Sequence, residues 1–416
     1  MYAEFKEKAD AFMAKHPRIS RYKFHTLVIA FFFVEMLVYL CAPFTVMNYN
    51  ATSYLLNYDM GFGPRLLIGS VLFVIVPYIT YEEVYIFVLF FTILLTVFAG
   101  FLIGEVMHRA SAKSKTGTYF IAILYLTSPA VIAYLYNFNN FGRLDLFLLI
   151  LALVMIPIIY KREKAFFLIP ILCGICMLIH ESFIFLFFPA IALVLLYMHL
   201  TTEKKKWLYT LIVSVVVCGT LFLYLNSLSL NFDSTSDVII AISLFSNIIP
   251  NYDMIDGMYF MTVGEVIQSM VIPGLLRRVC IGILTVIMFS PVFYILIKFW
   301  RDCRATSEGK MKMFYTLCML APLAALPLFI LAIDWGRWFA AFMVVQFIMI
   351  FFLLYAKDKI ATDVVTSWEP WVLSNKRMFA ILMIYLLMMG PFLEELPHVA
   401  TFIWDSLVKL VVGVIP

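Results

Sequence analysis

The chain has 416 residues, 64% of them hydrophobic and 13% charged, with a formal charge of +4, whereas an average soluble domain carries about 25% charged residues. Together with a mean hydropathy of +0.98, this excludes an ordinary soluble enzyme and carries no signal for nucleic acid. Apolar runs recur from residue 24 almost to the C-terminus without a long polar linker. The expected class is therefore an all-α polytopic membrane protein, one membrane domain over residues 1–416.

In chain order, residues 1–23 hold six Lys/Arg and several acids but no signal-peptide pattern, and read as a cytoplasmic amphipathic segment. Apolar runs of spanning length follow at roughly 24–47, 84–107, 119–136, 144–160, 165–180, 183–200, 207–228, 279–300, 313–333, 339–356 and 377–390. They predict about 11 spans, or 12 if 399–416 also crosses. A further stretch, 66–79, is short and lies between Pro64 and Pro77; it sets the parity of the whole map. Treating it as interfacial or re-entrant places 24 of the 30 Lys/Arg on the cytoplasmic side, as the positive-inside rule requires. Counting it as a span inverts every later loop. Two large external segments result, 48–83 with the interfacial helix and 229–278. The cysteines fall in apolar spans or on the cytoplasmic side, so no disulfide framework is expected, and the mid-span pair Cys173/Cys176 reads as packing.

Four polar clusters interrupt the apolar pattern, all on the external side of this map. In the first, Asp59 precedes Arg65 across Gly61, Gly63 and Pro64, a turn that could bring base and phosphate-binding guanidinium to one pocket. The plainer alternative is an interfacial anchor with a local ion pair. The second places Arg143 and Asp145 in an Asn-rich turn, where Asp145 also suits the start of a helix. His180 and Glu181 occupy a hairpin tip and, being adjacent in sequence, need not touch. The fourth is the run DWGRW, with Asp334, Trp335, Arg337 and Trp338 inside an apolar stretch. Ionisable groups at that depth are functional candidates: Arg337 can fork onto a phosphate and a Trp can stack on a sugar or polyprenyl unit. Outside these clusters, Glu105 is expected to pair with Arg109 one turn later.

An external Asp soon after the first span, a membrane-parallel segment in the first external loop, and later external loops bearing Arg and His resemble the C-type (GT-C) superfamily of polyprenyl-phosphate-dependent membrane glycosyltransferases. The resemblance is architectural and covers residues 24–228 with an external lid. It implies transfer of a sugar from a polyprenyl-phosphate donor to a glycan or lipid acceptor on the extracytoplasmic face, in cell-envelope polysaccharide synthesis, with Asp59 as catalytic base. Glu82 and Glu83 are substitutes for that role. Arg65, Arg143, Asp145, His180, Glu181, Asp334, Trp335, Arg337 and Trp338 would then bind substrate and phosphate. The partners implied are the lipid-linked donor, the acceptor and membrane lipids, in a bacterial cytoplasmic membrane with the N-terminus inside. The carboxylates could hold a divalent metal, but the sequence fixes no ligand set. An O-antigen or capsule repeat-unit polymerase, and a transporter or flippase for lipid-linked sugar, are the alternatives.

Overall fold

The computed structural model describes residues 17–39, 46–128, 132–136, 140–331 and 333–389; most of the N-terminal segment and the stretch 399–416 lie outside them. The fold is all-α, and among the described residues extended pairing is limited to a β-bridge between Ile79 and Ser246. The long helices, in chain order, are α1 (Pro17–Tyr39), α2 (Leu67–Ile75), α3 (Tyr81–Arg109), α4 (Lys115–Thr127), α5 (Asp145–Lys161), α6 (Leu168–Ile179), α7 (Phe188–Thr202) and α8 (Lys205–Leu225). After a segment with the short helices Thr235–Ser243 and Tyr252–Tyr259 come α9 (Leu275–Met288), α10 (Ser290–Ala305), α11 (Gly309–Leu331), α12 (Trp335–Tyr355), α13 (Lys359–Ser367) and α14 (Lys376–Met389).

A helix coincides with each of the eleven apolar runs, but fewer are built to cross a membrane alone. Among the described residues four helices, α3, α8, α11 and α12, are long and apolar enough to do so. The number reaches six if two bent pairs count as broken spans: α9 with α10, bent by 66°, and the run Lys359–Ser374 with α14, bent by 96°. α5 and α7 stop at 17 and 15 residues. α2 has nine residues, about 14 Å at the helical rise, and is too short to cross a hydrocarbon core of roughly 30 Å.

Local signals explain where α3 begins and ends. Thr80 caps it in a reciprocal box with Glu83, whose carboxylate accepts from the Thr80 N–H at 2.6 Å; Glu82 and Glu83 add negative charge to the first turn, and His108 and Arg109 add basic side chains to the last. Glu83 is thereby spent on structure. α1 packs along α3 at a seam of two glycines one turn apart. A Cβ on Gly104 would stand 2.5 Å from His25 Cα, and one on Gly100 would stand 2.6 Å from the Ile29 side chain. The Gly-x-x-x-Gly spacing lets two backbones approach where lipid offers no hydrophobic drive to hold them. Just beyond it, Arg109 Nε donates to Glu105 at 2.6 Å, and His25 lies 3.3 Å from the same carboxylate.

The two bundle ends differ in kind. At one end α5 and α12 begin and α3 starts. There the segments 48–79 and 229–260 lie on each other: Asn231 N–H donates to Met60 O at 2.9 Å, Ile79 N–H to Phe245 O at 2.8 Å, and Asn251 N–H to the Thr52 hydroxyl at 2.8 Å. The two loops read from sequence as separate external segments form one layer. At the other end α3, α5 and α12 finish, and Arg109 and Lys161 flank the Tyr355 ring at 4.3 and 5.0 Å. Cys173 and Cys176 are buried and free, as packing residues would be.

Replacing Gly104 with Leu forces the α1 backbone away from α3. We expect a loss of about 1–3 kcal/mol, the usual range for overpacking, visible as a lower thermal midpoint of the detergent-solubilised protein. An unchanged midpoint would show that the seam is not tight.

Candidate functional site

The ionisable residues at the lidded end form two ion clusters. Asp145 is the first residue of α5, where a carboxylate sits well with the helix dipole. Arg337 lies in the first turn of α12, where a cation does not, so it needs anionic partners. It has them: its Nε donates to Asp145 Oδ2 at 2.9 Å and its Nη2 to Oδ1 at 2.9 Å in a two-toothed fork, and its Nη1 donates to Asp334 Oδ2 at 2.5 Å. All three side chains are buried, Asp145 at 2% exposure, Arg337 at 4% and Asp334 at 8%. Arg143 stands 3.7 Å from the same Asp334 oxygen and lies over the Tyr49 ring at 4.6 Å. Its position depends on Gly142, whose φ of +89° suits only glycine comfortably. The first loop fixes this turn from above, with Tyr54 OH donating to Gly142 O at 2.7 Å and Asn50 Nδ2 to Phe141 O at 2.9 Å.

The second cluster joins Arg65, Glu181 and His180. Arg65 Nε donates to the two Glu181 oxygens at 3.0 and 3.1 Å, and its Nη2 also meets that carboxylate. Arg65 holds a left-handed backbone with φ of +63°, a conformation that costs a non-glycine residue of order 1 kcal/mol. The Glu181 pairing and the bond from Tyr259 OH to Pro64 O, at 2.6 Å, keep it there. His180 Nδ1 lies 3.3 Å from Glu181 Oε2 and 3.2 Å from the Ser182 nitrogen. The two adjacent residues therefore do touch, because His180 leaves the end of α6 in an extended conformation.

The clusters are neighbours. His180 feels the charge of both Arg65 and Asp145, and Tyr49 is coupled to Arg65 while stacking under Arg143. Burial first, then Arg65, lower the His180 pKa below its ordinary value, which leaves the imidazole neutral. For Glu181 burial acts upward, but Arg65 and His180 outweigh it and hold the carboxyl well below its usual range. Arg65 in turn is raised: burial opposes its charge and Glu181 more than compensates.

Of the residues expected from sequence, Arg65, Arg143, Asp145, His180, Glu181, Asp334 and Arg337 gather here. Asp59 does not: its side chain is exposed, its backbone N–H turns back onto Asn57 at 2.9 Å, and Glu181 occupies the place beside Arg65 that it was expected to fill. Gly61, at φ of +121°, turns the chain between the two residues. Trp338 is only 3% exposed and lies against Arg337 at 4.9 Å, so it is a floor for the guanidinium and not an open platform for a sugar. Trp335 leans on Phe329 at 5.2 Å. Tyr49 and Tyr259 were not singled out beforehand, since tyrosines are common in this chain and nothing local marks these two. Among the described residues no three His, Cys, Asp or Glu side chains converge as a metal cluster would. Comparison with family models, curated proteins and solved structures finds no match.

The His180 shift gives a signed pH dependence. The folded protein binds the proton less readily than the unfolded chain, so stability falls as pH drops below about 6.5, the unfolded value. Glu181, lowered in the fold, adds a second loss starting near pH 4.3 and deepening as pH falls toward its folded value. Thermal midpoints taken from about pH 8 to about pH 4.5 should decline for the wild type and stay flatter for His180→Gln over the upper part of that range. A wild-type midpoint that rises on acidification contradicts the assignment.

Proposed function

We propose that this protein is a membrane glycosyltransferase that moves a sugar from a polyprenyl-phosphate-linked donor to a glycan or lipid acceptor, on the extracytoplasmic side of a bacterial cytoplasmic membrane. The observation that carries the proposal is the gathering of Arg65, Arg143 and Arg337 with the His180–Glu181 pair at one end of an apolar bundle, beneath a layer of loops. Guanidinium groups suit phosphate because they are planar, permanently charged and only weakly hydrated. A bundle end offers them where a lipid phosphate sits, with its isoprenoid chain in the membrane. The topology that accompanies this reading has about eleven spans and a cytoplasmic N-terminus, since that arrangement leaves the lysine-rich loops inside and the arginine site outside.

The chemistry is a displacement at the anomeric carbon. The acceptor oxygen forms a bond to that carbon, the bond from carbon to the phosphate oxygen breaks, and the lipid phosphate departs with the electron pair. Arg143 and Arg337 offset the charge that develops on the departing phosphate. The acceptor proton goes to Nε2 of a neutral His180 whose Nδ1 carries the ring proton toward Glu181 Oε2, 3.3 Å away, and that carboxylate stabilises the imidazolium that forms. His180 replaces Asp59 in this role because a base must reach the reacting hydroxyl inside the site, and the Asp59 side chain is exposed.

The test is transfer of labelled sugar from a polyprenyl-phosphate donor in membranes carrying each variant at matched expression. Arg143→Ala and His180→Gln should each lower the rate by about 100-fold or more, whereas Asp59→Asn should stay near wild type. Wild-type transfer in both site variants would sink the proposal. Transfer requiring an oligosaccharide on both lipids would move the reading to a polymerase.

A further inference from the structure

A second built site lies at the opposite end of the bundle. Between α3, α5 and α12 runs a cavity of about 210 Å³ walled by apolar side chains, among them Leu102, Leu149, Leu153, Ile156 and Phe351. A single water needs only roughly 10–15 Å³ by this kind of measure, so there is room for a hydrocarbon segment. The cavity follows α5 from Leu149, one turn after Asp145, down to Lys161 at the helix end. Asp145 and Lys161 are thus about 24 Å apart along one helix, and the polar end of this cavity is not the arginine site.

That polar end is basic and continuous with a second, more polar hollow. Val106 lines both, and the second is bordered by Arg109, Ser111, Ser114, Lys357 and Lys359. Two carboxylates also face these spaces. Glu105 is already held by Arg109 and His25, and Asp363 is exposed on the rim of the second hollow. Lys161, Lys357 and Lys359 are exposed and have no carboxylate partner among the described residues. Where the two spaces meet, Tyr355 lies between Arg109 and Lys161, and its hydroxyl is buried without a hydrogen-bond partner. A buried hydroxyl is rarely left unpaired, because it loses its hydrogen bond to water and gains none in return. An oily channel, unpaired lysines and an unsatisfied donor at their junction describe one ligand with a long apolar chain and an anionic, oxygen-rich head.

We propose that this is a binding site for an anionic glycerophospholipid of the surrounding membrane, with one acyl chain in the channel and the phosphate among Lys161, Arg109 and Lys359. Tyr355 donates to an ester or phosphate oxygen. The site is independent of the arginine cluster and of any transfer reaction there. A bound lipid would bridge the ends of α3, α5 and α12, the helices whose opposite ends build that cluster.

The test is native mass spectrometry of the purified protein, titrated separately with phosphatidylglycerol, phosphatidylcholine and glycerol 3-phosphate. The wild type should retain phosphatidylglycerol in preference to phosphatidylcholine, and glycerol 3-phosphate should not bind measurably. Lys161→Gln combined with Lys359→Gln should weaken phosphatidylglycerol retention by about fivefold per lysine and leave phosphatidylcholine unchanged. Leu153→Trp, which fills the channel without touching a charge, should abolish retention. Both lysines are exposed, so the first variant folds and decides the question even if the second does not. Equal retention of the two lipids, undiminished phosphatidylglycerol in the lysine variant, or glycerol 3-phosphate binding as well as the lipid would each overturn the proposal.

Discussion

The fork of Arg337 on Asp145 is the interaction on which the lidded end of this protein depends. It ties the first turn of α12 to the first turn of α5, with Asp334 taking the remaining arm. Burying such groups is expensive, and their attraction only roughly offsets the desolvation. A well-packed pair of apolar residues could join the same helices at least as firmly. An array of three carboxylates and three guanidinium groups, four of them buried and Arg65 and Glu181 half-buried, is therefore poorly explained by stability alone and is better explained by what it can bind.

From that anchor the rest of the end follows. Arg143 precedes Asp145 by two residues and is delivered to Asp334 by the Gly142 turn. The first loop holds that turn through Asn50 and Tyr54, and the later loop layer holds the first loop through Asn231, Asn251 and Tyr259. His180, at the end of α6, pairs with Glu181 and feels the charge of Arg65 and Asp145. The charged groups come from four separate parts of the chain, around residues 65, 143–145, 180–181 and 334–337. The opposite end is built differently, with exposed lysines and a shared tyrosine in place of compensated buried charge.

Much of this was legible in the sequence because membranes restrict what a chain can do. The apolar runs and the brevity of 66–79 are direct consequences of burying backbone in hydrocarbon. Three of the four polar clusters supplied their full ionic pairs or partners to the site for the same reason: an ionisable residue in such a chain has few places to go. Pairing was not legible. Asp59 and Arg65 are six residues apart and looked like partners, yet Arg65 bonds Glu181 across 116 positions, and Arg337 bonds Asp145 across 192. Contacts of that range are set by how helices pack, and composition along the chain does not encode them. The glycine seam between α1 and α3 was readable as Gly100-x-x-x-Gly104 and passed unnoticed among the apolar residues.

The most direct measurement of the account is sugar transfer by the double variant Asp145→Leu with Arg337→Met. Replacing both members of a buried pair with apolar groups of similar size should preserve the fold, which a monodisperse elution profile and a near-normal thermal midpoint would verify. A folded protein with transfer reduced by about 100-fold or more is the outcome expected of a cluster whose charges act on substrate. A folded double variant that transfers sugar at the wild-type rate would show that the Arg337 fork is scaffolding, and the central claim would fall.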